Sequence, residues 1–139
     1  MMITLSGLKC FPGAHGCGVY LSPAIKYCSH PRYCKPVYLD LSKAKQESWT
    51  QEYMNEFKKY DKKWIQCAFM CRVKPGSYIK RCETMGLGDN GEMGGISKKE
   101  IEWIVLGNHR SIIGPEKILI YGIMIRARDT KQTNYNDYE

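Results

Sequence analysis

Hydrophobic and polar positions alternate most cleanly between Trp64 and Val73, where Ile65, Cys67, Phe69, Cys71 and Val73 are interleaved with Gln66, Ala68, Met70 and Arg72. A period of two is that of a strand with one buried face. This segment is therefore predicted as a strand whose inward set includes Cys67 and Cys71. Val37, Leu39 and Leu41 alternate in the same way, and IEWIVL at Ile101–Leu106 and ILIYGIMIR at Ile118–Arg126 are strong strands expected in one sheet. Between Lys43 and Tyr60 the period changes. Trp49, Tyr53, Phe57 and Tyr60 fall three or four apart, with Lys and Glu between them, which predicts a helix lying over a sheet with Ser42 as its cap. KPGS at Lys74–Ser77 predicts a turn, and Tyr78–Lys80 a resumed strand. The segment Glu83–Glu100 is almost free of large apolar residues and holds Gly86, Gly88, Gly91, Gly94 and Gly95, so a mobile surface loop is expected. Residues 1–15 give a short apolar start and a turn-prone KCFPGAHG, Pro31 and Pro36 bracket an irregular stretch, and 127–139 lacks apolar periodicity and reads as a flexible tail.

The densest local signal is GCGVYLSPAIKY, Gly16–Tyr27. Gly16 and Gly18 let the backbone approach a neighbour or ligand, and Val19, Tyr20 and Leu21 have strand character. Ser22 fits a helix N-cap, with Pro23 pre-set for the first helical position. Tyr20 near the strand end and Tyr27 one helical turn later can line one wall of a cleft; the same residues also suit two aromatics packed in a core.

The length of 139 residues bounds the chain to one domain's worth, and 43% hydrophobic with 25% charged residues is ordinary for a globular protein. The net charge of +7 allows a polyanion or a nucleotide's phosphates as partner, but apart from KKYDKK at Lys58–Lys63 the basic residues are scattered, which favours a solvated surface over nucleic-acid binding. Seven cysteines, an odd number with no export-type leader before them, are expected as reduced thiols in an intracellular protein, cytoplasmic or nuclear. No apolar run approaches the roughly eighteen residues of a membrane span, so no membrane partner is expected.

Three tempting signals are weak. Gly86, Gly88 and Gly91 match GxGxxG without a βαβ unit around them. Cys28, His30 and Cys34, with Cys10 or Cys17 as a fourth ligand, lack the paired CxxC spacing of a zinc site, and core thiols are the plainer account. A cysteine nucleophile beside His15, His30 or His109 is conceivable, but nothing in the sequence brings such a pair together.

Taken in order, Gly18-Val19-Tyr20, Tyr27, the glycine-rich loop, Ile101-Glu102-Trp103-Ile104-Val105 and the closing ILIYGIMIR resemble the ADP-ribosyltransferase superfamily of the poly(ADP-ribose) polymerase type, above all its small PARP-like domains. The resemblance runs from Gly7 to Arg126 and implies an α+β fold, ADP-ribosyltransferase-like, of antiparallel sheets with one or two flanking helices, in a single domain over 1–126. It implies NAD as substrate, an unidentified protein or other acceptor, and no metal. By the same resemblance Gly18, Tyr20, Ser22 and Tyr27 bind NAD, with Tyr20 in the nicotinamide pocket and Tyr27 stacked on the ring, and Glu102 is the catalytic carboxylate. Ala24 stands where larger polymerases often place a serine, a role left to Ser22. Glu100 forms a Glu-x-Glu pair with Glu102 but lies in a KKE run that reads as solvated charge.

The chemistry accounts for those residue types. Breaking the nicotinamide–ribose bond develops positive charge on the ribose, which a carboxylate on a rigid strand stabilises. Tyrosine rings hold the flat nicotinamide, and bare glycine backbone can bond its amide. The family's first strand, bearing His then Gly and Thr or Ser well upstream of the GxGVY segment, has no counterpart before Tyr20. His15-Gly16 lies too close to Tyr20 to be that strand, and the histidine's role is not carried onto it. Two accounts stay open: an N-terminally short transferase, or a degenerate, catalytically inactive module that binds a protein or ADP-ribose.

Overall fold

The structure, a computed structural model, describes residues 3–4, 7–43 and 50–131. The chain is mixed α and β, mostly antiparallel sheet with few helices, and divides into two units: Met1–Cys28 with Phe69–Ile123, and Ser29–Ala68 with Met124–Glu139. The elements are β1 (Ile3–Thr4), β2 (Gly7–Lys9), β3 (Phe11–Gly13), β4 (Gly16–Leu21), α1 (Ile25–Cys28), β5 (Val37–Leu39), α2 (Gln51–Phe57) and β6 (Lys63–Val73). They continue with β7 (Ile79–Arg81), β8 (Glu92–Met93), β9 (Ile96–Ser97), β10 (Glu102–Leu106), β11 (Ile112–Ile113) and β12 (Ile118–Arg128).

In the first unit, the described residues form a sheet in the order β3-β4-β10-β7, a smaller one in the order β1-β2-β11, and the β8-β9 hairpin. β4 and β10 are the central pair, antiparallel with Val19 opposite Val105 and Tyr20 opposite Ile104. Residues opposite one another share a face and the face alternates along a strand. Val19 and Val105 therefore point together into a core with Leu8, Cys10, Ile113 and Ile118, each side chain of this size contributing about 1.5–3 kcal/mol on burial. Tyr20, Ile104 and Glu102 take the opposite face.

The second unit contains β5, a 3-10 turn at Leu41–Lys43, α2 and a further 3-10 turn at Lys58–Tyr60. β5 pairs antiparallel with β6, Val37 opposite Ile65 and Leu39 opposite Lys63. The carboxamide of Gln66 donates to the carbonyls of Ser29 (2.9 Å) and Cys34 (2.7 Å), pinning the irregular stretch between the prolines. Asp40 accepts from Lys62 Nζ and Ser42 Oγ at 2.6 Å each, and Asp61 accepts from the Leu41 amide.

Several expectations are corrected. β6 forms where predicted, and Cys71 and Val73 of the expected inward set pack against the core, but Gln66 is buried while Cys67 is exposed: two backbone carbonyls that need donors draw the carboxamide in. β10 and β12 lie in different sheets, since β12 belongs to the order β12-β6-β5. Of the helix predicted over Lys43–Tyr60 the described residues form α2, capped by Thr50, whose Oγ1 accepts from the Tyr53 amide, and the 3-10 turn at Lys58–Tyr60; Ser42 bonds Asp40 instead, and residues 44–49, Trp49 among them, lie outside the described residues. No residue of α2 is buried and Tyr53 is 58% exposed, so aromatic spacing here does not mark a core-facing stripe. The loop Glu83–Glu100 is not plain surface coil. It carries the β8-β9 hairpin, buries Glu83 and Met93, and is tied by Glu83 N–H to Lys98 C=O and Lys98 N–H to Gly91 C=O. β12 runs to Arg128, two residues into the segment read as a tail, whose remainder from 132 lies outside the described residues.

Candidate functional site

Glu102 opens β10 and is 5% exposed. Its Oε1 accepts a hydrogen bond from the Thr84 hydroxyl at 2.9 Å. The Thr84 amide in turn donates to Tyr27 Oη at 3.0 Å, and the two hydroxyls lie 3.4 Å apart. Tyr27, 3% exposed on the single turn α1, thus stands behind Glu102 through one threonine. A carboxylate that opens a strand and is gripped at one oxygen keeps its direction.

The other oxygen is the anomaly. Glu102 Oε2 is buried and makes no hydrogen bond among the described residues. His15 Nε2 lies 3.3 Å away, but it also lies 3.0 Å from the Cys82 carbonyl. Both neighbours only accept, so with a proton on Nε2 the ring has one N–H between them, and the contact with Oε2 lacks hydrogen-bond geometry. Leaving a buried acceptor unpaired costs about 1–3 kcal/mol, more for a charged group. A hydroxyl donor brought to Oε2 would remove that cost.

His15 is brought to Glu102 by the β3-β4 hairpin. Gly13 pairs with Gly16 across its turn, and the Tyr20 ring folds back over the turn, where a Cβ on Gly13 would sit 2.4 Å from the ring. Tyr20 Oη accepts from the His15 amide at 2.9 Å and donates to the Gly16 carbonyl at 2.7 Å. Burial pushes the Tyr20 hydroxyl above the ordinary tyrosine range; the His15 amide opposes this, while the charges of Glu102 and Cys17 add to it. It stays a neutral phenol, able to make both bonds.

The structure brings Tyr20, Tyr27 and Glu102 of the sequence-derived set into one network, with His15 and Thr84 as members that sequence reasoning missed. His15 was set aside for its closeness to Tyr20, yet closeness across a tight hairpin is what presents it. Thr84 carried no signal beyond following the strand β7. Gly18 and Ser22 have local employment. Gly18 pairs with Phe11 on one side and Leu106 on the other, and a Cβ on it would lie 2.3 Å from the Val105 carbonyl oxygen, so its bareness serves strand contact. Ser22 Oγ accepts from the Ala24 amide, but the first helical carbonyl is that of Ala24, which takes the Tyr27 and Cys28 amides. The helix thus begins two residues later than predicted, at Ile25, and lasts one turn. Glu100 is exposed and lies 4.0 Å from Lys80 Nζ.

Among the described residues no group of three or more His, Cys, Asp or Glu side chains is arranged to hold a metal ion. Burial pushes the thiols of Cys34 and Cys71 up, away from the nucleophilic thiolate form. No helix among the described residues is long and apolar enough to cross a membrane. The chain matches no protein-family model, no curated protein and no solved structure at a significant level.

Proposed function

We propose that the first unit carries an NAD site of the ADP-ribosyltransferase type, on an ADP-ribosyltransferase-like arrangement of antiparallel strands, with Glu102 as the catalytic carboxylate. The observation that carries the proposal is the buried Oε2 of Glu102, without a hydrogen bond among the described residues, at the head of β10 on the sheet face shared with Tyr20. The adjacency of β4 and β10, the strands bearing GCGVYL and EWIVL, supports it, because it puts the two family-like motifs side by side.

Oε2 is the acceptor for a ribose hydroxyl, and Thr84 holds Oε1 so that the carboxylate keeps its direction. In the reaction the bond between the ribose anomeric carbon and the nicotinamide nitrogen breaks, and its electron pair leaves with nicotinamide. The positive charge left on the ribosyl group is stabilised by the Glu102 carboxylate until the acceptor's nucleophile bonds that carbon and gives up its proton. Tyr27 anchors Thr84 and Tyr20 closes the hairpin, roles that precede any contact of their rings with nicotinamide.

Thermal melts with NAD, ADP-ribose or nicotinamide test the site. A ligand at a hundred times its Kd stabilises by about 2.7 kcal/mol. NAD or ADP-ribose is expected to raise the melting midpoint of the wild-type chain and to lose most of that effect in Glu102→Gln. A folded wild-type chain that none of the three stabilises would sink the proposal.

A further inference from the structure

We infer that His15 is a positioning residue that gates Glu102 through its protonation state, leaving the buried Oε2 without a hydrogen-bond donor when neutral and taking Oε2 for itself as the imidazolium. The inference rests on the proposed role of Glu102 as ligand acceptor and adds regulation to that site. Its geometry is a ring nitrogen placed between two acceptors, the Cys82 carbonyl at 3.0 Å and Oε2 at 3.3 Å, with one N–H to share.

In the neutral ring that proton goes to the carbonyl. Protonation places a delocalised positive charge beside a carboxylate that is itself buried, where water screens the attraction poorly. A small tilt of the ring then turns Nε2–H from the carbonyl to Oε2. The same proton acts twice on the chemistry, because an imidazolium beside Glu102 also cancels the negative charge that Glu102 offers a cationic ribosyl group.

The surroundings leave this pair as the switch. Tyr20 on β4 holds the His15 backbone and its hydroxyl is pushed up, so it stays neutral across the histidine range; Cys17 lies on the same strand. Tyr27 on α1 reaches Glu102 through Thr84. Arg81 stands opposite Glu102 in register on β7, but it is exposed and its guanidinium donates to the Lys80 carbonyl. In the segment after β7, Cys82 presents its carbonyl and the Glu83 carboxylate accepts from the Met85 amide.

Two measurements separate this device from the function it serves. The first needs no ligand: melts of wild type, His15→Gln, Glu102→Gln and the double variant at about pH 5.5 and about pH 8. Glutamine at position 15 keeps a donor for the Cys82 carbonyl and removes the charge. The two substitutions should be coupled at the lower pH, by about 2–4 °C in midpoint, and additive at the higher. Equal coupling at both pH values, or none at the lower, overturns the inference. If Glu102→Gln does not fold, the wild-type advantage over His15→Gln must still grow at the lower pH, and a constant advantage overturns it.

The second measurement is ADP-ribose binding by calorimetry at the same pH values. Wild type should bind about tenfold more weakly at the lower pH, as a proton competing with the ligand requires, and His15→Gln should bind alike at both. A pH dependence that persists in His15→Gln contradicts the gate. Absence of ADP-ribose binding at pH 8 instead contradicts the proposed NAD site, and the ligand-free coupling then decides the His15–Glu102 pairing by itself.

Discussion

The Thr84 hydroxyl grips Glu102, and its loss would leave a buried carboxylate with neither oxygen hydrogen-bonded among the described residues. Thr84→Val keeps shape and backbone but removes that donor. It should destabilise the chain by about 1–3 kcal/mol in denaturant unfolding, while Thr84→Ser stays within about 1 kcal/mol of wild type. Equal stability of the valine and serine variants would mean the hydroxyl does not hold the carboxylate. In the second unit Asp40 shows the same logic at the surface. The Lys62 ammonium, with the Ser42 hydroxyl behind it, holds its carboxyl down at about 2. A depressed carboxyl stabilises the fold above its unfolded value of about 3.9 and loses that contribution as pH falls through the folded value. An NMR titration should find Asp40 still ionised at about pH 3, and Lys62→Met should move its midpoint up toward the ordinary aspartate range. An unmoved midpoint would remove Lys62 as the cause.

Among the elements, β4 and β10 carry the argument, and Gly18 is where their contact is tightest. Gly18→Ala would drive a methyl into the Val105 backbone carbonyl, which no rotamer relieves, so a loss of more than about 2 kcal/mol is expected on thermal unfolding. A variant as stable as wild type would contradict that packing. Both strands were legible from sequence because their apolar residues outnumber alternatives and GCGVYL and EWIVL need no distant partner to read as strands. β6 was legible as a strand and, at Cys71 and Val73, in its core-facing side, but not at Gln66, which is turned inward by two carbonyls more than thirty residues away in the chain. The Lys43–Tyr60 pattern misled for the converse reason: α2 has helical spacing of aromatics and no buried residue. The β8-β9 hairpin was hidden because two-residue strands leave no periodicity to count.

At the scale of the whole molecule, the candidate site belongs to one unit, yet its residues come from four separated places: the hairpin with His15 and Tyr20, α1, the start of the glycine-rich segment, and β10. Sequence motifs supplied Tyr20, Tyr27 and Glu102, each read from its own neighbours. His15 and Thr84 could not be read that way, because their roles exist only once the chain has closed on itself. Within the basic run Lys58–Lys63, Lys62 pairs with Asp40 and Lys63 with Asp129. The central claim, that Glu102 serves the cleavage of NAD, is met most directly by measuring nicotinamide release from NAD by the purified chain and by Glu102→Gln, each first verified as folded by circular dichroism. Release by wild type that falls at least about a hundredfold in Glu102→Gln is the expected result for a carboxylate acting on developing charge. Equal release by both proteins, or none from a folded wild-type chain, would contradict the claim, and ADP-ribose binding without release would leave the fold as a binding module.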